Sequence, residues 1–299
     1  MNEIDKALKA LKDEILQDGS EEQKERLEEI LKNYEGEDRI VSSQEIWEEY
    51  QNLPQKPNYK TGFKILDETM QGFETGATIV LTGITKHGKT TFAVELSERL
   101  KELNPLWLSL EERHIDLIKK FKERTGQIPQ FYTPKLNERP TLEWVEMKLV
   151  ESRVKYGSKV AFIDHLGFIS DAEYKSGENE AQRLERISRR LHTLAVQLDY
   201  LIFNLWHLRK TNITTNPTLD DIRGSSAVAQ EADAVFIIWR ETKRVGGVIE
   251  IGSRTNLSIQ ANRRSGKPNN IIYEYEKGRY IEIGEHTANA IDEEFYQDW

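Results

Sequence analysis

The sequence predicts an α/β fold: a mostly parallel sheet with helices on both faces, a β-rich C-terminal part, and a small α-helical appendage at the N-terminal side. Three observations predict it. From Thr61 onward, short apolar β-branched runs alternate with segments of helical spacing. The first run leads into a glycine-bearing loop and then a helix-forming segment. From Gly247 onward the helical spacing disappears and only strand patterns remain.

The elements follow in order. Ile4, Leu8, Leu11 and Ile15 recur at helical spacing, as do Leu27, Ile30, Leu31 and Tyr34, with Gly19 and Ser20 between them. Residues 1–42 therefore read as an acidic helical hairpin. A third short helix is expected over 43–52, capped by serine, with Ile46, Trp47 and Tyr50 on one side. Pro54 and Pro57 mark a linker that runs to residue 60. The α/β core spans 61–284. Its strands are expected at 79–82, 106–110, 160–164, 200–206 and 234–239, and its helices at 90–103, 114–125, 141–156, 180–198 and 225–232. Four further strands, 248–251, 257–261, 271–275 and 280–283, make up the β-rich part. Residues 285–299 form an acidic, aromatic-ended tail with too little apolar surface to fold alone.

Composition narrows the classes. With 37% apolar and 31% charged residues in 299, the chain reads as soluble. No apolar run approaches the ~20 residues of a membrane span, and no basic-then-apolar segment opens the chain. A cytoplasmic location with no membrane partner is the expectation. The absence of cysteine excludes disulfides and thiolate metal sites. The net charge of −9 is unevenly spread. Residues 1–50 hold 16 acidic and 7 basic side chains, and 285–299 hold five acidic and no basic ones. The stretch between them is mildly basic, which leaves room for a nucleic-acid surface.

The chemistry concentrates at G-x-x-x-x-G-K-T, residues 83–90. Gly83, Ile84, Thr85, Lys86, His87, Gly88, Lys89, Thr90 and Thr91 form a candidate phosphate cradle. The glycines let successive N–H groups turn toward an anion, and the helix that starts near Lys89 adds the positive end of its dipole. Lys89 is placed to reach β- and γ-phosphates, and the Thr90 hydroxyl to hold Mg²⁺. A chance glycine-lysine surface loop is the bland alternative, which the strand before and the helix after disfavour. The run 160–164 ends in Asp164, at the strand terminus where such sheets bind ligands, so Asp164 is a candidate for Mg²⁺ through water. An ordinary turn aspartate is the alternative. The run 106–110 leads into Glu111 and Glu112, and Glu111 is the better candidate to deprotonate an attacking water. His207 follows a third strand and reads equally well as a γ-phosphate contact or a structural histidine.

These residues resemble a known family. The opening Thr61-Gly62-Phe63, Leu66-Asp67, Gly72-Phe73 and Gly76, followed by the phosphate loop, is similar to the RecA-like core of DnaB-type replicative helicases. Leu110-Glu111-Glu112, Ile163-Asp164-His165, and His207-Leu208 with Leu219-Asp220-Asp221-Ile222-Arg223-Gly224-Ser225 lean toward the phage primase–helicase and Twinkle branch. The resemblance covers about 61–284. It implies a hexameric ring driven 5′→3′ along single-stranded DNA by ATP, or another NTP or dNTP, with Mg²⁺, in a bacterial or phage-infected cell.

By this resemblance Asp164 is the Walker B carboxylate, Glu111 the base and His207 the γ-phosphate sensor. Arg263 or Arg264 is an arginine finger that serves the neighbouring subunit, and Arg240 and Tyr275 sandwich the base. The lysine that both families carry two residues before the finger is here Ala261 or Asn262, so that second cation is missing or replaced. DNA contacts are implied on loops 170–179 and 208–220, with Lys175, Arg209, Lys210 and Asn212, and at Arg223. The helix over 43–52 occupies the place of the linker helix that docks on the adjacent subunit. The hairpin is a candidate contact for a primase or loader, and the tail for a DNA polymerase. A RecA- or KaiC-like ATPase that unwinds nothing, or a helicase-accessory or loader ATPase, is the alternative reading.

Overall fold

A computed structural model describes residues 39–53, 56–135, 140–169, 180–208, 216–222, 231–246 and 248–286. Residues 1–38 of the expected hairpin (1–42), 225–230 of the expected helix (225–232) and 287–299 of the expected tail (285–299) lie outside the described residues. So do Lys175, Arg209, Lys210, Asn212 and Arg223. The chain divides into two units, Met1–Gln55 and Lys56–Trp299. In the first, helix α1 (Ser43–Asn52) is capped as expected, the Ser42 hydroxyl accepting the Glu45 N–H at 3.1 Å. The Trp47 and Tyr50 rings stack at 5.6 Å and are exposed, as is Ile46.

The second unit contains α2 (Lys64–Met70), β1 (Ala77–Gly83), α3 (Lys89–Arg99), β2 (Leu106–Ser109), α4 (His114–Thr125), α5 (Leu142–Tyr156), β3 (Val160–Asp164), α6 (Glu180–Leu198), β4 (Leu201–His207), β5 (Ala234–Val245), β6 (Val248–Asn262), β7 (Asn269–Glu276) and β8 (Arg279–His286). The eight strands form one sheet in the order β2-β3-β4-β1-β5-β6-β7-β8. The first five are parallel and the last three are added antiparallel. This is the expected parallel sheet with a β-rich end.

Alternation along the strands feeds two apolar layers. Ile79 and Leu81 of β1 join Leu66, Phe92, Leu96, Leu117 and Phe121 from α2, α3 and α4. Val80 joins Trp144, Val145, Leu149, Ile187, Leu191 and Leu194 from α5 and α6. Trp107, Phe162 and Phe203, in register on three neighbouring strands, stack at 4.8 and 4.9 Å and are fully buried. Truncating such a ring to alanine costs about 3–5 kcal/mol.

Two features differ from the sequence expectation. The strands expected at 248–251 and 257–261 are one continuous strand, β6, and β5 continues past Trp239 to Val245. Thr255 and Asn256 are paired to Arg240 and Trp239 of β5, Ile251 is paired to Thr242, and residues 252–254 between them are taken up in a register shift. Helix α2 carries only Leu66 and Met70 as buried residues and has no side-chain cap of its own. Its N-terminal Ile65 and Leu66 N–H groups donate to the Glu282 carboxylate of β8 at 2.8 and 3.1 Å. The Thr61-Gly62-Phe63 segment is a knot around Asp67, whose carboxylate accepts from Thr61 N–H, the Thr61 hydroxyl and Gly62 N–H, each at 2.8 Å.

Candidate active site at the carboxyl ends of the parallel strands

Gly83 pairs with His207 on one side and Ile238 on the other, and Ser109 pairs with Asp164. The carboxyl ends of all five parallel strands therefore meet along one edge, where open α/β sheets bind ligands. Gly83 has no room for a side chain, because a Cβ there would lie 2.2 Å from the Ile238 carbonyl oxygen. Gly88 turns the loop into α3 with φ +97°, a conformation that favours glycine. Its carbonyl accepts the Tyr280 hydroxyl at 3.2 Å.

A cavity of about 520 Å³ opens there. Its wall includes residues 83–86 and 88–91 of the loop, together with Glu111, Asp164, His207, Arg240 and Tyr275. Lys89 is 8% exposed, and its Nζ donates to the Trp206 carbonyl at 3.1 Å. Burial lowers its ammonium pKa, an effect that Asp164 and Glu111 oppose. Asp164 is 3% exposed, and burial raises its carboxyl pKa against the pull of Lys89. Its Oδ2 accepts the Thr90 hydroxyl at 3.1 Å, while Oδ1 is buried with no hydrogen-bond partner among the described residues. A buried cation, and a buried carboxylate that holds a hydroxyl on one oxygen and no partner among the described residues on the other, fit an anionic phosphate and a divalent cation.

The backbone fixes Glu111 beside Asp164. The Leu110 and Glu111 N–H groups both donate to the Asp164 carbonyl, at 2.5 and 3.3 Å. The Glu111 carboxylate lies 3.3 Å from His207 Nε2. Burial, helped by Lys89, lowers the His207 pKa against the pull of Glu111 and Asp164, which favours the neutral ring. Three further residues, His165, Lys120 and Tyr280, escaped the sequence reading as members of this neighbourhood, and Glu112, weighed there behind Glu111, joins them. The His165 ring stands edge-on to His207 at 4.1 Å, Glu112 and Lys120 pair at the cavity wall, and Tyr280 props Gly88. Of the three, only His165 stood in a quoted motif, Ile163-Asp164-His165, and there without a role.

One expected cradle residue is displaced. The His87 ring is absent from the cavity wall, and its N–H is taken by the Ile84 carbonyl at 3.1 Å. The loop closes a turn there, which rotates the side chain toward β5. The Arg240 guanidinium lies 5.3 Å over the Tyr275 ring, closer than the roughly 7 Å that two van der Waals separations would require for a base between them. Arg263 and Arg264 do not line this cavity. They sit on a turn organised by buried Asn262, whose Oδ1 accepts the Arg264 and Ser265 N–H groups at 3.1 and 3.2 Å. Arg264 pairs with Glu74 at 2.5 Å.

Comparison with known proteins fits this geometry. Residues 133–280 match the family described as DnaB-like helicase C terminal domain. The replicative DNA helicase DnaB of Leifsonia xyli subsp. xyli is 24% identical over 214 residues, covering 61% of this chain and 46% of the relative. The chain thus spans about half the length of the curated relatives it matches. Among solved structures, one described as an ATPase domain superposes with a TM-score of 0.66 at 18% identity, over 82% of this chain and 99% of that one. A DnaB-like replicative helicase, described with its interactions with primase, superposes with a TM-score of 0.66 at 17% identity, over 93% and 76%. The phosphate loop on a parallel sheet and the RecA-like ATPase fold of these neighbours agree with the match of residues 133–280 to the DnaB-like helicase C terminal domain.

Proposed function

We propose that the chain is an ATP-driven replicative DNA helicase that assembles as a homohexameric ring and moves 5′→3′ on single-stranded DNA. The observation that carries this reading is the strand-end cavity of a DnaB-like domain. There a buried Lys89 and an Asp164 oxygen with no partner among the described residues line one cavity with Thr90, and Glu111 and His207 lie within 3.3 Å of each other on its wall.

In this reading the loop amides and Lys89 hold the β- and γ-phosphates, and the base is held by Arg240 and Tyr275 once they part. Thr90 and Asp164 hold Mg²⁺, which would neutralise charge on the phosphate oxygens. Glu111 accepts a proton from the water that attacks the γ-phosphorus, and ADP leaves as that phosphorus transfers to water. Neutral His207 donates to the γ-phosphate from the nitrogen that now faces Glu111, and so registers whether the phosphate is present. A neighbouring subunit's Arg263 or Arg264 stabilises the transferring group. Lys175, Arg209, Lys210, Asn212 and Arg223 grip the DNA backbone without reading sequence. The structural neighbour described with primase favours a primase or loader as the partner of the N-terminal hairpin, and the acidic aromatic tail suits a basic groove on a polymerase.

The test is DNA-stimulated ATPase together with imaging. Lys89→Ala should lower turnover by about 10²-fold or more, as loss of a charge-stabilising group does. Glu111→Gln should retain nucleotide binding and six-fold rings in negative stain while turnover stops. Filaments or monomers in place of rings with ATP and single-stranded DNA would refute the ring reading, and near wild-type hydrolysis by Glu111→Gln would remove Glu111 as the base.

A further inference from the structure

Of residues 83–91, His87 alone is absent from the cavity wall, and it is 2% exposed. Its Nδ1 accepts the Arg240 backbone N–H at 3.0 Å. A backbone amide only donates, so this nitrogen carries no proton. The contact arises from the topology. Strand β1 ends at Gly83, paired to Ile238, and Arg240 lies two residues farther along β5. Its N–H continues the row that β1 no longer serves, and the imidazole takes the place of the missing strand.

The same residue reaches the other end of the site through its side chain. The Arg240 guanidinium lies over Tyr275, both line the cavity, and Arg240 Nε is buried without a hydrogen-bond partner among the described residues. Arg240 thus belongs to two places at once: its backbone is fastened to the apex of the phosphate loop, and its head closes on the aromatic ring. A flat ligand that parts the pair moves a residue tied to the loop.

We propose that His87 is a positioning residue that couples the base site to the phosphate loop, so that seating a nucleobase between Arg240 and Tyr275 tightens the grip on the phosphates. Its ligand class is base-bearing nucleotides, as opposed to phosphate chains alone. This coupling rests on the reading of the cavity as a nucleoside triphosphate site.

The test compares Mg²⁺-ADP with Mg²⁺-pyrophosphate, neither of which is hydrolysed here, by isothermal titration of the full chain. Wild type should bind ADP the more tightly. His87→Leu removes the acceptor and should weaken ADP about tenfold while pyrophosphate stays within about twofold. His87→Asn places a carboxamide oxygen near the Nδ1 position and should hold ADP within about threefold of wild type. Should leucine prevent folding, His87→Met provides the same loss of acceptor with a longer, more adaptable side chain. Equal weakening of both ligands would make His87 a plain support of the loop and overturn the coupling. Unchanged ADP binding in the leucine variant, an asparagine variant that tracks leucine, or equal wild-type affinities for the two ligands would overturn it as well. Wild-type protein that binds neither ligand would sink the nucleotide reading of the cavity itself.

Discussion

Asp164 shows how the site trades stability for binding. Its carboxyl pKa is raised by burial, and only one of its two oxygens has a partner among the described residues. A raised folded-state value means that the native protein holds this proton more tightly than the unfolded chain does. The resulting stabilisation is complete below the unfolded carboxyl value of about 3.9 and is lost as pH rises through the folded value. Ionising this carboxyl in the ligand-free protein therefore costs stability, a cost that Lys89 only partly offsets. Asp164→Asn should leave the ligand-free melting temperature unchanged or higher, and flatten its rise on acidification. The same substitution should abolish the extra stabilisation that Mg²⁺-ADP gives wild type. A melting temperature several degrees lower without ligand would show instead that the carboxylate is a net support of the fold.

At the scale of the element, α2 is the informative case. It spans Lys64–Met70, lacks a local cap, and takes its cap from Glu282 on β8, more than two hundred residues away in sequence. Glu282→Ala should lower stability by about 1–2 kcal/mol through the lost charge-assisted cap, with Glu282→Gln intermediate. Urea denaturation checks this, and an unchanged midpoint for Glu282→Ala would mean that α2 is held by its apolar face alone. The case also explains what the sequence could reveal. The expected ranges 114–125, 160–164 and 180–198 coincide with α4, β3 and α6, because their period and local boundary signals lie inside the element. Helix α2 was not legible, since its cap depends on the finished sheet. The break placed within β6 arose because polar residues 252–256 look like a turn, whereas the strand passes through a register shift at 252–254 and is paired to β5 on both sides of it. The site divides in the same way. The phosphate loop and the strand-end carboxylates Glu111 and Asp164 carried local signals, whereas Tyr280 and Lys120 reach the cavity, and His165 reaches the His207 ring, only through folding.

At the scale of the whole molecule, the proposed ring would place a second chain's side chains at each nucleotide. Arg263 and Arg264 lie outside this chain's cavity, on a turn that buried Asn262 holds through both side-chain atoms. A cation fixed in that way on the rim of the domain suits service to a neighbour's nucleotide, and the proposed ring provides such a neighbour. Rings that mix two inactive subunits test this directly. One subunit carries Lys89→Ala with an intact finger, and the other carries Arg263→Ala or Arg264→Ala with an intact phosphate loop. Where the second subunit's loop faces the first subunit's finger, a complete site forms, so ATPase should return on mixing and peak at intermediate ratios. The finger is the arginine whose variant is inactive alone and rescued in this way. Arg264 already holds Glu74 within its own chain, so Arg264→Ala should in addition loosen the turn and lower thermal stability. Failure of both variants to recover activity at any ratio, with co-assembly confirmed by crosslinking, would count against shared sites and leave each subunit to hydrolyse nucleotide on its own.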